Sequence, residues 1–258
     1  MKISIITVTL NAAATINDCL DSVKAQGEGV EHIVIDGGST DGTVDIINSP
    51  RSKVAQFVSG PGIGIFDAMN KGILRATGDI IGILNADDVY AGRDIIKQVE
   101  KAFEDPCYDA CYGDLLYVHR TDTNKVFRYW RPGKYSAHSF YLGWMPPHPA
   151  FFVRRDVYEK YGLFNPEIGT AADYELMLRL LLKHGVAAVY IPRVLVRMRT
   201  GGASNASILS RMLANRMDRK AWEVNGLKPY PFTLAAKPLR KIGQFFVKGR
   251  HLPAAETR

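Results

Sequence analysis

The sequence predicts an α/β protein whose central, mostly parallel sheet has helices on both faces. Short apolar runs rich in β-branched residues alternate with amphipathic helical patterns along the first half of the chain, which is typical of such a fold. The 258 residues are 47% hydrophobic and 23% charged, so there is ample apolar material for a core and no sign of disorder or a fibrous repeat.

The first half of the chain contains the clearest pattern. Each predicted strand is a short buried run, and the first helix carries Ile16, Leu20 and Val23 on one face. The strands are Ile3–Thr9, His32–Ile35, Val54–Val58 and Asp79–Leu84, and the helices between them are Thr15–Gln26, Asp41–Asn48 and Phe66–Ala76. Because nucleotides bind at the carboxyl ends of the strands in such sheets, the residues after each strand are the first candidates for a site.

In the second half of the chain the regular alternation of strands and helices ends. Residues 108–130 are predicted to form a meander of strands. A loop rich in proline and aromatic residues follows, and then a short helix near Val157–Tyr161. The remaining predicted elements are a strong amphipathic helix over Ala172–Lys183, a strand pair at Ala187–Ile191 and Leu195–Met198, and a polar helix over about 205–223.

The charge is distributed unevenly along the chain. The net charge is +7, but residues 1–210 carry 22 basic and 23 acidic side chains, whereas residues 211–258 carry 11 and 3. A basic tail on a nearly neutral body predicts an anionic partner, either lipid or nucleic acid. The chain begins with a strand pattern rather than a secretion signal, and its three cysteines show no disulfide framework. We therefore expect a cytoplasmic protein.

Polar residues follow the first two predicted strands. The first strand ends in Thr9-Leu10-Asn11, and the second ends in Asp36, which is followed by a glycine-rich turn. Glycines let a backbone approach a ligand closely, and Asp36 can accept hydrogen bonds from a base or a ribose hydroxyl. The alternative is a cap for the next helix. Because Ser39 or Asp41 is better placed for capping, we expect Asp36 to stay free for a ligand.

The fourth strand ends in Asn85-Ala86-Asp87-Asp88. Adjacent carboxylates repel each other unless a cation or hydrogen-bond donors compensate. Oxygen ligands of this kind suit Mg²⁺ or Mn²⁺, which also bind the phosphates of a substrate. The alternative is an acidic turn that caps a helix starting near Arg93.

A third acidic position, Asp173, opens the amphipathic helix that continues with Tyr174. It is either an N-terminal helix cap or a general base for a hydroxyl group, and spacing alone favours the cap. Weaker candidates are Asp67 and Lys71 near a helix start, His148 between two prolines, and Arg197 and Arg199 before a Gly-Gly pair. Lysine and arginine there could face phosphates, and His148 could line an acceptor pocket. Solvated charges and a structural histidine are the ordinary alternatives.

Five segments occur in order along most of residues 1–200: ISIITVTLN, VIDGGSTDGT, GIFDAMNKG, ATGDIIGILNADD and AADYELMLRL. Together they resemble the family 2 glycosyltransferases of the GT-A fold, most closely the bacterial members that build surface polysaccharides. The resemblance implies a GT-A domain over residues 1–204, with a nucleotide-binding half (1–110) and an acceptor half (111–204). Residues 205–258 are expected to form a helical, basic extension.

The resemblance implies transfer of one sugar, with inversion, from a UDP- or GDP-linked donor to a saccharide or polyprenyl-linked acceptor. Asp173 would be the catalytic base, and Asp87 and Asp88 would hold Mg²⁺ or Mn²⁺, with Asp88 as the expected direct ligand. The implied donor-binding residues are Thr9, Asn11, Asp36, Asp67, Lys71, Asn85, Asp87, Arg197 and Arg199, and the acceptor candidates are His148 and Tyr174. The Gln-any-any-Arg-Trp motif of processive members does not occur.

Two positions depart from the family pattern. The common Pro-Thr-Tyr-Asn is here Val8-Thr9-Leu10-Asn11, which lacks an aromatic ring to stack on a base. The acidic motif is Asn-Ala-Asp-Asp rather than Asp-any-Asp.

The basic tail over Lys237–Lys248 shows an apolar and a basic face at helical spacing. This pattern is typical of a helix that lies on an anionic membrane surface, and the alternatives are a helix packed on the body or a disordered end.

Two other functions of the protein remain as alternatives: a nucleotidyltransferase acting on sugar phosphates, and a nucleic-acid-binding protein. The acidic cluster at the expected ligand edge disfavours nucleic acid.

Overall fold

The computed structural model describes residues 1–62, 64–201, 208–242 and 244. In this part of the chain the strands are β1 (Ile3–Thr9), β2 (Val30–Asp36), β3 (Gln56–Ser59), β4 (Ile80–Ile83), β5 (Val89–Tyr90), β6 (Ala110–Val118), β7 (Val126–Trp130), β8 (Phe151–Arg154) and β9 (Ala188–Arg199). The helices are α1 (Ile16–Lys24), α2 (Thr43–Ile47), α3 (Ile65–Arg75), α4 (Ile95–Ala102), α5 (Ala137–Tyr141), α6 (Arg155–Tyr161), α7 (Ala172–Met177), α8 (Ile208–Val224) and α9 (Thr233–Ile242). A π-helical turn over Leu178–Lys183 continues α7.

The strands form one sheet in the order β3-β2-β1-β4-β8-β6-β9-β5, with β7 beside β6. Strands β1 to β4 are parallel, and β6 and β9 are parallel to each other. Strands β5, β7 and β8 pair antiparallel with their neighbours. The predicted α/β fold with a mostly parallel sheet is therefore confirmed.

Successive side chains of β1 point to opposite faces of the sheet, as the period of a strand requires. Ile3 and Ile5 pack with apolar residues of α1 and α4, whereas Ile6 and Val8 pack with residues of α3 and α7. Helices thus cover both faces, which explains why β1 is apolar along most of its length.

Three elements differ from the sequence prediction. The predicted strand pair at residues 187–198 is one strand, β9, whose pairing with β6 shifts register on either side of Asp114. The extra residues at Pro192 and Arg193 are accommodated as a bulge rather than a turn. Strand β8 was not predicted because it directly follows the proline-rich loop, and β5 was not predicted because two residues are too few to form a pattern.

Helices α8 and α9 pack on the side of the body that carries α7. Trp222 of α8 is fully buried, and Lys237 of α9 forms an ion pair with Asp218 of α8 (2.8 Å). The Thr233 hydroxyl donates to the carbonyl of Tyr141 (2.6 Å). The C-terminal part of the structure is therefore held to the body by specific contacts.

The helix predicted over Lys237–Lys248 begins earlier, at Thr233, and ends at Ile242. Residue 243 and residues 245–258, which complete the predicted amphipathic face, lie outside the described residues, as do residues 205–207 at the start of the predicted polar helix. Within the described part of the chain, no helix is both long and apolar enough to cross a membrane.

Candidate active site

The carboxyl ends of β2, β1 and β4 lie side by side at one edge of the sheet. Thr9 is paired with Asp36 across β1 and β2, and the amide of Ala86, just after β4, donates to the carbonyl of Val8 (3.2 Å). We call the three loops at this place, residues 9–11, 36–39 and 85–88, the polar edge. It is where a parallel sheet binds its ligands.

Asp36 is fully buried at the polar edge. Its carboxylate accepts hydrogen bonds from the hydroxyls of Ser39 (2.5 Å) and Ser59 (2.6 Å) and from the amides of Gly38 (3.1 Å) and Ser39 (3.0 Å). Burial alone would raise the pKa of Asp36, but these hydrogen bonds outweigh it and hold the pKa below its ordinary value. The carboxylate of Asp36 therefore shapes the loop through these contacts, and its binding to a ligand stays a prediction.

Two side-chain oxygens of the polar edge, Thr9 Oγ1 and Asn85 Oδ1, are buried without a hydrogen-bond partner among the described residues. Such an atom costs about 1–3 kcal/mol, so its presence needs an explanation, and a bound ligand would supply one. Asn11, in contrast, is hydrogen-bonded to the loop after β2. Its Oδ1 accepts from the amide of Thr40 (2.9 Å), and its own amide donates to the hydroxyl of Ser39 (2.7 Å).

Asp88 is buried, with 1% of its surface exposed, and accepts a hydrogen bond from the amide of Arg199 (3.1 Å). Burial, and then the neighbouring charge of Asp87, raise the pKa of Asp88 well above its ordinary value. The guanidinium of Arg199 donates to the carbonyl of Asp87 (2.8 Å) and pairs with Asp18. Arg199 therefore holds the acidic turn in place, and its predicted contact with a diphosphate stays a prediction.

Asp87 is the more accessible of the two acidic residues. Its side chain is half-buried, and its carboxylate accepts no hydrogen bond from the described residues. Mg²⁺ and Mn²⁺ need an unprotonated carboxylate, and one such group together with substrate phosphates is a usual set. Asp87 offers the more accessible carboxylate, whereas Asp88 is buried and bonded to the amide of Arg199, and which of the two is the direct ligand stays a prediction. In the described residues no three His, Cys, Asp or Glu side chains form a metal cluster.

Asp173 lies in the first turn of α7 and is half-buried. Its Oδ1 accepts from the amide of Tyr174 (2.7 Å). The pKa of Tyr117 is raised by burial, and further by the charges of both Asp88 and Asp173. That Asp173 and the acidic turn, Asp87-Asp88, face one cleft stays a prediction.

His148 is buried, and its imidazole packs edge-on against Phe164 (5.4 Å between ring centroids). Burial lowers the pKa of His148, and the charge of Asp173 opposes this shift. The packing holds the ring in place, and its contact with an acceptor stays a prediction.

Tyr174 is not in the cleft, although it follows Asp173. It is 1% exposed, and its hydroxyl accepts from the indole N–H of Trp222 (3.0 Å). This makes it a core residue that joins α7 to α8, so it is unsuited to contact an acceptor.

The side chains of three predicted donor-binding residues make no hydrogen bond to the acidic turn within the described part of the chain, although the backbone of Arg197 pairs with Val89, the residue after Asp88. Arg197 donates to the carbonyl of Thr123 (3.2 Å) and the side chain of Asn124 (2.9 Å), in the turn between β6 and β7. Asp67 and Lys71 are exposed on α3.

Sequence reasoning missed Tyr117 and its neighbour Arg128. Tyr117 pairs with Arg128 across β6 and β7, and the guanidinium carbon lies 3.6 Å from the centre of the Tyr117 ring. The sequence pattern around both residues indicates strands and nothing more. Arg128 is a polar residue in a strand of apolar and aromatic residues, but such a residue is too common to indicate a functional position.

The sheet order, the polar edge and the acidic turn define a glycosyltransferase of the GT-A class, and solved structures share this fold. The structure of S. aureus TarS 1-349 in complex with UDP-GlcNAc has a TM-score of 0.67 at 17% identity, covering 94% of this chain and 73% of that one. Mannosyltransferase PcManGT from Pyrobaculum calidifontis, in complex with GDP-Man and Mn²⁺, has a TM-score of 0.62 at 21% identity, covering 92% and 68%.

The family model "Glycosyl transferase family 2" matches residues 4–162, and the chain belongs to this family. An uncharacterized glycosyltransferase of Mycobacterium tuberculosis is 29% identical over 99% of this chain and 94% of its own length. A PGL/p-HBAD biosynthesis glycosyltransferase of Mycobacterium bovis is 30% identical over 83% of both chains. The protein is therefore a nucleotide-sugar-dependent glycosyltransferase, as the sequence motifs predicted.

Proposed function

We propose that the protein transfers one sugar, with inversion at the anomeric carbon, from a nucleotide-sugar to a saccharide or lipid-linked saccharide acceptor. The observation that supports this most is the polar edge, where the buried oxygens Thr9 Oγ1 and Asn85 Oδ1 lack a partner among the described residues and the carboxylate of Asp87 is accessible. Asp173 is the proposed base because it is half-buried at the start of α7 and accepts only the amide of Tyr174 among the described residues.

In the proposed reaction Asp173 takes the proton of the acceptor hydroxyl while that oxygen bonds to the anomeric carbon. The bond from this carbon to the nucleoside diphosphate breaks at the same time, so the configuration inverts. A positioned base contributes roughly 10²–10⁴-fold to such a step. His148, buried beside Asp173, orients the acceptor, and Arg199 keeps the acidic turn in place through its hydrogen bonds to Asp87 and Asp88.

The donor is a UDP- or GDP-linked sugar, since the solved neighbours contain UDP-GlcNAc and GDP-Man. Its nucleoside hydroxyls would reach the unpartnered oxygens of Thr9 and Asn85. Asp87 would hold the divalent cation, which supplies positive charge to the departing diphosphate when it is bound. One of the solved neighbours contains Mn²⁺.

The test is a panel of UDP- and GDP-sugars incubated with the protein, with and without a lipid-linked saccharide. Free nucleoside diphosphate is the expected product, and stereochemistry at the new linkage, read by NMR, checks inversion. Release of pyrophosphate would show nucleotidyl transfer instead, and a retained anomeric configuration would exclude the single displacement with Asp173 as base.

We also infer that the protein docks on anionic membranes through its basic C-terminal segment. Leu239, which is 64% exposed, precedes the exposed Arg240 on α9, and Phe232, which is 52% exposed, lies just before this helix. Exposed aromatic and aliphatic groups beside basic ones favour an interfacial position. Leu239→Asp should reduce sedimentation with phosphatidylglycerol vesicles, whereas Leu74→Asp, at a leucine of α3 that is 73% exposed, should not. Equal binding by both variants would contradict this docking.

A further inference from the structure

A cavity of about 380 Å³ lies between β7 and α9, outside the cleft described above. Its walls combine flat aromatic rings, among them Trp130 and Trp144, with the basic side chains of Arg131, Lys237 and Arg240. No acidic residue lines it within the described part of the chain. A cavity with this lining attracts a ligand that has both an apolar or sugar ring face and a negative charge.

The basic groups of the cavity are not equally available. Lys237 is neutralised by its ion pair with Asp218 (2.8 Å). Arg131 is exposed and lines the cavity. Arg240 is exposed and has no hydrogen bond or ion pair with the described residues. Two arginines at the mouth are therefore available for an anion, and arginine binds phosphate groups in a bidentate manner.

A polar group inside the cavity also needs a partner. The carboxamide oxygen of Gln244, which lines the cavity, is buried without a hydrogen-bond partner among the described residues. Hydroxyl groups of a saccharide would satisfy it, and a purely apolar occupant would not.

The cavity lies next to α7, the helix that carries the proposed base. Lys237 lines the cavity, and its Nζ lies 3.6 Å from the ring centre of Tyr174, the residue after Asp173. A molecule that contacts Lys237 is therefore close to the first turn of α7.

We propose that this cavity is an acceptor subsite that binds a glycosyl phosphate or diphosphate, the sugar and phosphate groups of a lipid-linked acceptor. The proposal rests on the proposed function, because it assumes that a sugar acceptor reaches Asp173. The phosphate lies against Arg131 and Arg240 at the mouth, and the sugar ring lies on the aromatic wall. The exposed Leu239, beside Arg240 on α9, is in position for the lipid chain.

The probe for this subsite is N-acetylglucosamine linked through a diphosphate to a farnesyl chain. Two of the three tryptophans of the chain line the cavity, so tryptophan fluorescence follows binding to the full-length protein. We expect a saturable change with this probe and a much weaker one with N-acetylglucosamine alone.

Arg131→Ala and Arg240→Ala should each weaken binding of the probe about tenfold or more, because each removes a charge-assisted hydrogen bond. The matched control is Arg219→Ala, at an exposed arginine of α8 that leaves the cavity unchanged while removing the same charge from the basic segment. Equal weakening by all three variants would show non-specific charge attraction and overturn the proposal, as would the absence of saturable binding.

A phospholipid headgroup also carries a phosphate and is the other candidate for the group that Arg131 and Arg240 bind. If Arg240→Ala abolishes binding to phosphatidylglycerol vesicles while the soluble probe does not bind, the site serves a headgroup and the acceptor assignment is wrong. The proposed function is checked separately by release of nucleoside diphosphate from nucleotide-sugars by the unmodified protein. If none is released but the probe binds through both arginines, the proposed function fails and the glycosyl phosphate site stands.

Discussion

The two sides of the proposed cleft hold their carboxylates in opposite ways. At the polar edge Asp36 is fully buried and accepts hydrogen bonds from Gly38, Ser39 and Ser59. On α7, Asp173 is half-buried, and its only hydrogen bond within the described residues comes from the amide of the next residue. The same residue type therefore builds a loop on one side and stays available for chemistry on the other.

This comparison predicts its largest effect at Asp173. Asp173→Asn should lower kcat for sugar transfer roughly 10²–10⁴-fold, because the amide cannot accept the proton of the acceptor hydroxyl. Affinity for the nucleotide-sugar, measured by calorimetry, should be unchanged, and so should the melting temperature. Asp156→Asn, in the first turn of α6, is the matched control and should keep full activity. A kcat near that of the unmodified protein in Asp173→Asn would remove this residue from the base role.

The second prediction separates the two residues of the acidic turn. Asp87→Asn should weaken binding of the nucleotide-sugar about 10–100-fold in the presence of Mg²⁺ or Mn²⁺ and abolish the effect of a chelator, because Asp87 is the accessible carboxylate. Asp88→Asn should have a smaller effect on metal dependence, since Asp88 is buried and already accepts a hydrogen bond from the amide of Arg199. If Asp88→Asn alone abolishes metal dependence, the assignment of the metal to Asp87 is wrong.

Much of the polar edge was predictable because its loops follow strands whose short apolar runs are easily recognised in the sequence. The apolar run of β1 and the glycine-rich turn after β2 placed Asp36 and Thr9 at one edge, and the sheet order agrees. Whether a carboxylate there is free or saturated depends on contacts such as the one from Ser59, which is 23 residues away from Asp36. Local pattern carries no information on such contacts.

The acceptor side was less predictable for the same reason. Tyr117 gains its position only when β6, β7 and α7 come together, and Tyr174 was misjudged because the sequence does not reveal that Trp222 covers it. Strand β8 was missed because the prolines before it mask the short apolar run.

The third prediction concerns the saturated carboxylate of the polar edge. Asp36→Asn should lower the free energy of unfolding by about 2–4 kcal/mol, since an amide NH₂ group would face hydrogen-bond donors in a buried place. Transfer should fall only a few-fold at temperatures where the variant is folded. Urea denaturation measures the first effect, with Asp45→Asn, at an exposed position of α2, as control. A loss of activity as large as that of Asp173→Asn, without loss of stability, would give Asp36 a direct role with the ligand.

The substitution with the smallest expected effect on activity is at Glu31, near the amino end of β2 and far from the polar edge. Its carboxylate accepts hydrogen bonds from Ser4 (2.5 Å) and from the amide and hydroxyl of Thr77 (2.8 Å each). Burial opposes ionisation, but these bonds and Lys2 lower the pKa of Glu31 from 4.5 to about 2. Its contribution to stability is therefore present above pH 4.5 and is lost as the pH falls toward 2.

Glu31→Gln should lower the free energy of unfolding at pH 7 by about 2–3 kcal/mol and flatten its dependence on pH below 4.5, while kcat at 25 °C stays unchanged. Denaturation curves at several pH values measure this. A pH dependence equal to that of the unmodified protein would show that Glu31 is not the group responsible.

Strand β9 extends from Ala188 to Arg199, and its two ends serve different parts of the molecule. Near one end the Tyr190 hydroxyl donates to Asp114 (2.6 Å), and at the other Arg199 fastens the acidic turn to Asp18. Because β9 is paired with β6 on both sides of the bulge at Pro192 and Arg193, the acidic turn and the contacts around Asp114 are anchored on one pair of strands.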